Sequence, residues 1–349
     1  MAEQKRAVAL ISGGLDSMLA AKVIMDQGVH VEGVNFFTGF CVEGHTHAIR
    51  RKKRDTIKRN NALWVAEQLG IKLHIVDVIE EYKDVLLNPQ HGYGQYMNPC
   101  LDCKIFMVKK AHAWTFMEEH NFDFIITGEV IGQRPKSQRK ETMPIIARES
   151  GADDLLLRPL CAKHLEPTLP EREGWVDRGA LYNFHGRNRK PQIALARELG
   201  IEEWAQPAGG CCFLTNEEYS KKLVDLWDAR GQREYDLDDI MLLKVGRHLR
   251  PASNYKLIVA REDGENQYLK GYKHSYTMLH ATSHLGPLAL LDGNPTDHDL
   301  ELAAALVARY GQGRADAEVS VEIEFTNGDS LELQVAPLHA DDVQDSWRV

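Results

Sequence analysis

The feature that most constrains this chain lies near its start. Ala7-Val8-Ala9-Leu10-Ile11 is an unbroken apolar run of the kind found in a strand buried on both faces. Ser12-Gly13-Gly14-Leu15-Asp16-Ser17 follows at once, and Ser17 to Gln27 reads as a helix closed by Gly28. A buried strand, a glycine loop and a helix start direct backbone N–H groups and the positive end of the helix dipole at one spot, where an anion can sit. Gly13 and Gly14 remove the Cβ atoms that would keep a phosphate at a distance. Ser12 and Ser17 offer hydroxyl donors, and Asp16 can hold Mg2+ or order the loop. No lysine stands where a Walker loop requires one, which argues against γ-phosphate hydrolysis.

The same alternation continues. Strands are expected at Val31 to Phe37, Lys72 to Ile79 and Phe124 to Ile126, and helices at Arg54 to Leu69 and Lys104 to His120. Strands alternating with helices predict an α/β fold with a doubly wound parallel sheet and ligands at the C-terminal ends of its strands. A chain of 349 residues exceeds one small core. We expect a domain carrying the phosphate loop over 1–160, a proline-rich smaller element over 161–215 with a helix from Gln192 to Leu199, and an α+β domain over 216–349. In the last, strands are expected at Leu242–Val245, Tyr255–Ala260, Gln267–Gly271 and Val319–Phe325, with Asn327-Gly328-Asp329 as a hairpin turn.

Charge bears on partners. The net charge of −9 divides into +1 over residues 1–212 and −10 over 213–349, so the first two thirds can still offer basic patches to a phosphate backbone. No apolar run approaches the ~18–20 residues of a membrane span. The polar Met1 to Arg6 leads straight into a strand, so no signal peptide is expected and the protein is read as cytoplasmic, without a membrane partner.

Six cysteines are too few for a disulfide scaffold of this length. Asn98-Pro99-Cys100-Leu101-Asp102-Cys103-Lys104 places two thiols just before a helix, where the dipole is expected to lower their pKa. Cys211 and Cys212 follow Gly209-Gly210, whose flexibility would let them approach the same site. Three thiolates from two segments suit a [4Fe–4S] cluster with an open iron, and four suit a closed Zn2+ site. Alternatively one pair is redox-active and the others pack as small hydrophobes. Cys161 reads as packing, and Cys41, after the second strand, is isolated.

Ser-Gly-Gly-Leu-Asp-Ser after a first apolar strand resembles the PP-loop signature of the ATP-pyrophosphatase superfamily. That resemblance implies that Ser12, Gly13, Gly14, Asp16 and Ser17 bind the pyrophosphate part of ATP. Asn98-Pro99-Cys100 through Lys104, Thr127-Gly128-Glu129 and Gly209-Gly210-Cys211-Cys212-Phe213-Leu214-Thr215 resemble the tRNA thiouridine synthetase branch over roughly residues 5–215. Thr127 and Gly128 would then join the ATP site. By the same resemblance, Cys100, Cys103 and either Cys211 or Cys212 ligate a cluster, or carry persulfide sulfur. The reaction implied is adenylation of a uridine carbonyl oxygen followed by sulfur transfer, with a sulfur donor and tRNA as partners. The rival reading is a ligase with an amine nucleophile and structural, zinc-binding cysteines.

Three cationic runs would clamp tRNA: Arg50-Arg51-Lys52-Lys53-Arg54; Arg134, Lys136, Arg139 and Lys140; and Arg187, Arg189 and Lys190. Leu242 to Arg250 and Glu265 to Leu269 resemble the NFACT-R class of small domain, thought to bind RNA. Its acidic balance points instead to docking of a sulfur donor or of a second subunit, as in a homodimer.

Overall fold

The computed structural model of this chain describes residues 4–42, 60–113, 121–205 and 211–349, and they divide into two compact units between Cys212 and Phe213. In the first unit the apolar runs become β1 (Arg6–Leu10), β2 (His30–Phe37), β3 (Leu73–Asp77), β4 (Phe124–Thr127) and β5 (Leu156–Leu157). All pair in parallel, in the order β3-β2-β1-β4-β5. The chain steps outward from β1 to β3 and then returns to pair β4 against the other edge of β1. The order therefore reverses between β1 and β4, and a crevice at their C-terminal ends follows from that topology.

Helices cover both faces of this sheet. Alternate residues of β1 and β4 divide between them: Ala7, Ala9, Phe124 and Ile126 face one core, and Val8 and Ile125 the other. The helix α1 (Leu15–Met25) buries Leu15, Met18, Leu19 and Ile24 in the first of these. Each such side chain contributes roughly 1.5–3 kcal/mol. The segment read from sequence as a separate element joins the same core through Ala162, Val176, Leu181, Leu195 and Ile201. Its prolines begin short helices, Leu169–Arg172 and Lys190–Glu198, and do not detach it.

The second unit is a six-stranded antiparallel sheet of order β11-β10-β8-β9-β7-β6. Its strands are β6 (Arg247–Ala252), β7 (Tyr255–Val259), β8 (Thr277–Ala281), β9 (Ala289–Gly293), β10 (Val319–Glu324) and β11 (Ser330–Val335). Leu257, Leu279 and Leu291 pack under the helix Asp297–Tyr310, and Ile258, Met278 and Leu290 form a second core with Leu269. Two expected strands are corrected. Gln267 to Gly271 lies at the end of the helix Asp263–Lys270, whose Glu265 and Leu269 are buried one turn apart. Leu242–Val245 ends a short helix, and β6 begins only at Arg247, after Gly246 turns the chain with φ +69°. Short apolar runs carry too little periodicity to separate strand from helix. Among the described residues, no helix is long and apolar enough to cross a membrane.

Candidate functional site

The glycine loop links β1 to α1 at the crevice. Gly13 takes φ +78°, a left-handed conformation that side chains resist. Gly14 caps α1, and no side chain bonds the helix N-terminus there. The Ser17 hydroxyl donates to the Gly14 carbonyl (2.9 Å) and accepts from the Ser12 N–H (3.3 Å), which closes the loop on itself. Ser12 is exposed at the rim.

Asp16 sits within a polar network. Its Oδ2 accepts from Gln133 Nε2 at 2.6 Å, and Gln133 Oε1 accepts from Gln192 at 3.1 Å. Its Oδ1 is buried with no hydrogen-bond partner among the described residues, and so are Gln192 Oε1 and Arg189 Nε. Burial pushes the Asp16 carboxyl up, while Gln133, Arg189 and Arg134 oppose that shift. Orphaned polar atoms around a carboxylate at a glycine loop fit a hydrated divalent cation and an anionic ligand. Arg189, placed by sequence in a cationic run, acts electrostatically on Asp16. Arg187 and Lys190 are exposed.

The end of β4 packs against this loop. A Cβ built on Gly128 would stand 2.5 Å from the carbonyl carbon and oxygen of Asp16 and from the Ser17 nitrogen. Only glycine fits there. The Thr127 hydroxyl donates to Glu129 Oε2 (3.1 Å), which also accepts from Arg158 Nε (3.0 Å). The Cys161 thiol donates to the Glu129 carbonyl at 3.2 Å. Thr127 and Gly128 thus hold the loop against the strand, and Cys161 packs beside the buried ion pair.

Cys41, Cys103 and Cys212 act on Tyr82, and Cys100 and Cys211 act on Cys103. Cys100 and Cys103 occupy the first turn of the helix Cys100–His112, whose Asp102 accepts from the Gln90 and His91 N–H groups and ties down the loop before it. Cys41 pairs antiparallel with Cys212, and the Val42 N–H donates to the Cys211 carbonyl at 3.3 Å. Tyr82 is fully buried between Phe40 and Phe106, and its phenol bonds the Cys103 thiol. The expected lowering of the thiol pKa values is reversed. Burial pushes Cys103 up to about 12, helped by Cys211 and Cys100. Burial and then Cys211 raise Cys100 as well. Desolvation outweighs the dipole of one helix end. Arg134 opposes the shifts of both Asp16 and Cys100, so the phosphate loop and the thiols share its field.

Several of these groups carried no sequence signal. Gln133, Gln192 and Tyr82 belong to no motif, and Gln133 reaches Asp16 across 117 residues. The run Arg50, Arg51, Lys52, Lys53 and Arg54 lies outside the described residues. In the second unit, Arg247, Arg261, Arg309 and Arg314 line a cleft of about 770 Å3, with Glu262 and Asp263 at its side. Arg247 stacks over Tyr310 at 5.1 Å. The unit's acidic total conceals this local cationic surface.

Residues 2–166 match the family model of the thiamine biosynthesis protein (ThiI), and residues 246–348 that of the NFACT protein RNA binding domain. The chain is 26% identical over 259 residues to the tRNA-specific 2-thiouridylase MnmA of Mesoplasma florum, covering 70% of this chain and 65% of that one. It is 33% identical over 248 residues to the MnmA of Treponema denticola, covering 68% and 62%. The chain thus spans less than two thirds of the length of these curated relatives. A 4-thiouridine synthetase solved with RNA and bound ATP is similar over 61% of this chain and 46% of its own, at 22% identity and a TM-score of 0.40.

Proposed function

From an N-terminal PP-loop domain of the ThiI kind and a C-terminal NFACT-type domain, we propose that this chain thiolates a uridine in tRNA at the expense of ATP. ATP adenylates the uridine carbonyl oxygen and releases pyrophosphate. Sulfur then replaces the activated oxygen, and AMP leaves. The observation that carries this reading is Arg134, whose charge reaches both the Asp16 carboxylate of the phosphate loop and the Cys100 thiol. Activation and sulfur delivery need that adjacency, because a carbonyl oxygen leaves only once it is esterified.

In this reading Ser12, Gly13, Gly14 and Ser17 bind the pyrophosphate moiety of ATP. Asp16 Oδ1 takes Mg2+, and Arg189 and Arg134 stabilise the charge that develops on the phosphates. Cys100, Cys103, Cys211 and Cys212 are the sulfur-handling set. Burial keeps Cys103 and Cys100 protonated at neutral pH, and a cationic centre among them would reverse that. The donor set therefore fits a soft metal centre. A [4Fe–4S] cluster would be held by Cys100, Cys103 and Cys211 or Cys212, and would supply a Lewis-acidic iron for sulfide. Without one, the same cysteines carry persulfide sulfur. The partners are tRNA, a sulfur donor (a persulfide carrier or inorganic sulfide) and a second copy of the chain. Arg187, Lys190 and the arginine cleft of the second unit contact the RNA backbone.

The test is anaerobic purification with iron and sulfide assays, followed by pyrophosphate release with bulk tRNA and mass analysis of its nucleosides. We expect AMP, pyrophosphate and a thiouridine in equal amounts, abolished in Asp16→Asn. With the cluster present we expect about four irons and four sulfides, lost in Cys100→Ala. ATP consumption with no sulfur entering RNA, in a protein holding one zinc, would favour the amine ligase and reject this function.

A further inference from the structure

We propose that Cys41 and Cys212 form a reversible disulfide by exchange with a low-molecular-weight disulfide. The backbone carries the argument. Cys41 and Cys212 are register partners in an antiparallel bridge, and the bond beside them runs from the Val42 N–H to the Cys211 carbonyl. That bond lies outside the pair, so Cys41 and Cys212 face each other as a non-hydrogen-bonded pair. In such a pair the Cα atoms stand about 4.5 Å apart and the side chains leave the same face. A disulfide spans Cα separations of roughly 4.4–6.8 Å, so this one needs no backbone movement.

The surroundings select this pair. Cys41, Cys100, Cys103 and Cys212 are all partly exposed as residues, but the Cys103 thiol itself is desolvated and bonded by Tyr82. The Cys41 and Cys212 sulfurs both act electrostatically on the Tyr82 phenol, as the Cys103 sulfur does. The Cys41 sulfur also lies 3.6 Å from the Thr38 hydroxyl. Cys100 and Cys103 sit a turn apart on one helix and take no part in the bridge.

The exchange balances. One cysteine thiolate attacks a sulfur of the small disulfide, forms a mixed disulfide and expels one small thiolate. Its partner attacks the protein-side sulfur, closes Cys41–Cys212 and expels the second. The protein gives up two electrons and two protons, and two small thiols carry them away. The consequence, which rests on the proposed function, is that Cys212 leaves the sulfur-handling set while the phosphate loop stays intact.

The test equilibrates the full chain with reduced and oxidised glutathione, alkylates it and maps its peptides. We expect a Cys41–Cys212 linked peptide to appear before any other pair. Cys212 joined to Cys100 or Cys103, or Cys41 still alkylated once Cys212 is oxidised, overturns the proposal. As a second readout, oxidised wild type should lose RNA thiolation but keep ATP-dependent pyrophosphate release, while Cys41→Ser keeps both. A linked peptide in a protein that never thiolates RNA would support the pair and reject the proposed function.

Discussion

At the residue scale, Gly128 and Glu129 show how little of this site depends on the groups that meet ligand. A Cβ at position 128 falls 2.5 Å from the backbone of Asp16. Gly128→Ala should therefore displace the first turn of α1, costing about 1–3 kcal/mol in chemical denaturation. It should also lower pyrophosphate release about a hundredfold, since small misplacements of positioned groups cost that much. Release at the wild-type rate would show that the strand yields instead. Glu129 is 2% exposed and bonds Arg158, which is 5% exposed. Burial raises its carboxyl, yet Lys104 and Arg158 hold it below its ordinary 4.5. Its stabilisation is thus complete above 4.5 and disappears as pH falls through the lower, folded value. Glu129→Gln should cost about 3 kcal/mol at pH 7, because Arg158 is left buried without its partner. It should also flatten the acid limb of a denaturation-against-pH curve. An unchanged acid limb would assign that limb to other carboxylates, such as Glu32, which His74 and His30 hold at about 2 against the effect of burial.

At the scale of elements, the strand–loop–helix start was legible because each part carries its own local signal: an apolar run, two glycines and a helical pattern. The Asp16 network was not, since its glutamines come from a distant loop (Gln133) and a distant helix (Gln192), and glutamine has no motif value. The thiol pKa values were misread for a related reason. A helix start is visible in sequence, but the burial that overrides it involves Tyr82 and Phe40, which lie on other segments. The arginine cleft shows the same dispersal: β6, the helix Asp297–Tyr310 and two loops each supply one of its four arginines. Replacing Arg309 and Arg314 with glutamate should weaken tRNA binding and reduce the slope of log affinity against log salt, by about 0.7–0.9 per lost phosphate contact. Fluorescence titration between low and moderate salt measures both. A weaker affinity with an unchanged slope would remove the cleft from the RNA path.

At the scale of the whole molecule, each unit owns its cores: Leu19, Ile24 and Phe124 belong to the first, Leu257, Leu291 and Val307 to the second. Residues 213–349 expressed alone should unfold in one cooperative transition and keep the salt-dependent RNA affinity. A gradual, non-cooperative melt would show that this unit needs the rest of the chain. The seam between the units falls directly after Cys212. A gene fusion that attaches a different second unit at that seam leaves the phosphate loop, the thiols and their spacing untouched. Chains that exchange their C-terminal units are therefore free to change how they grip a substrate while inheriting one way of reacting with it. Position 212 is the last residue that such an exchange has to respect.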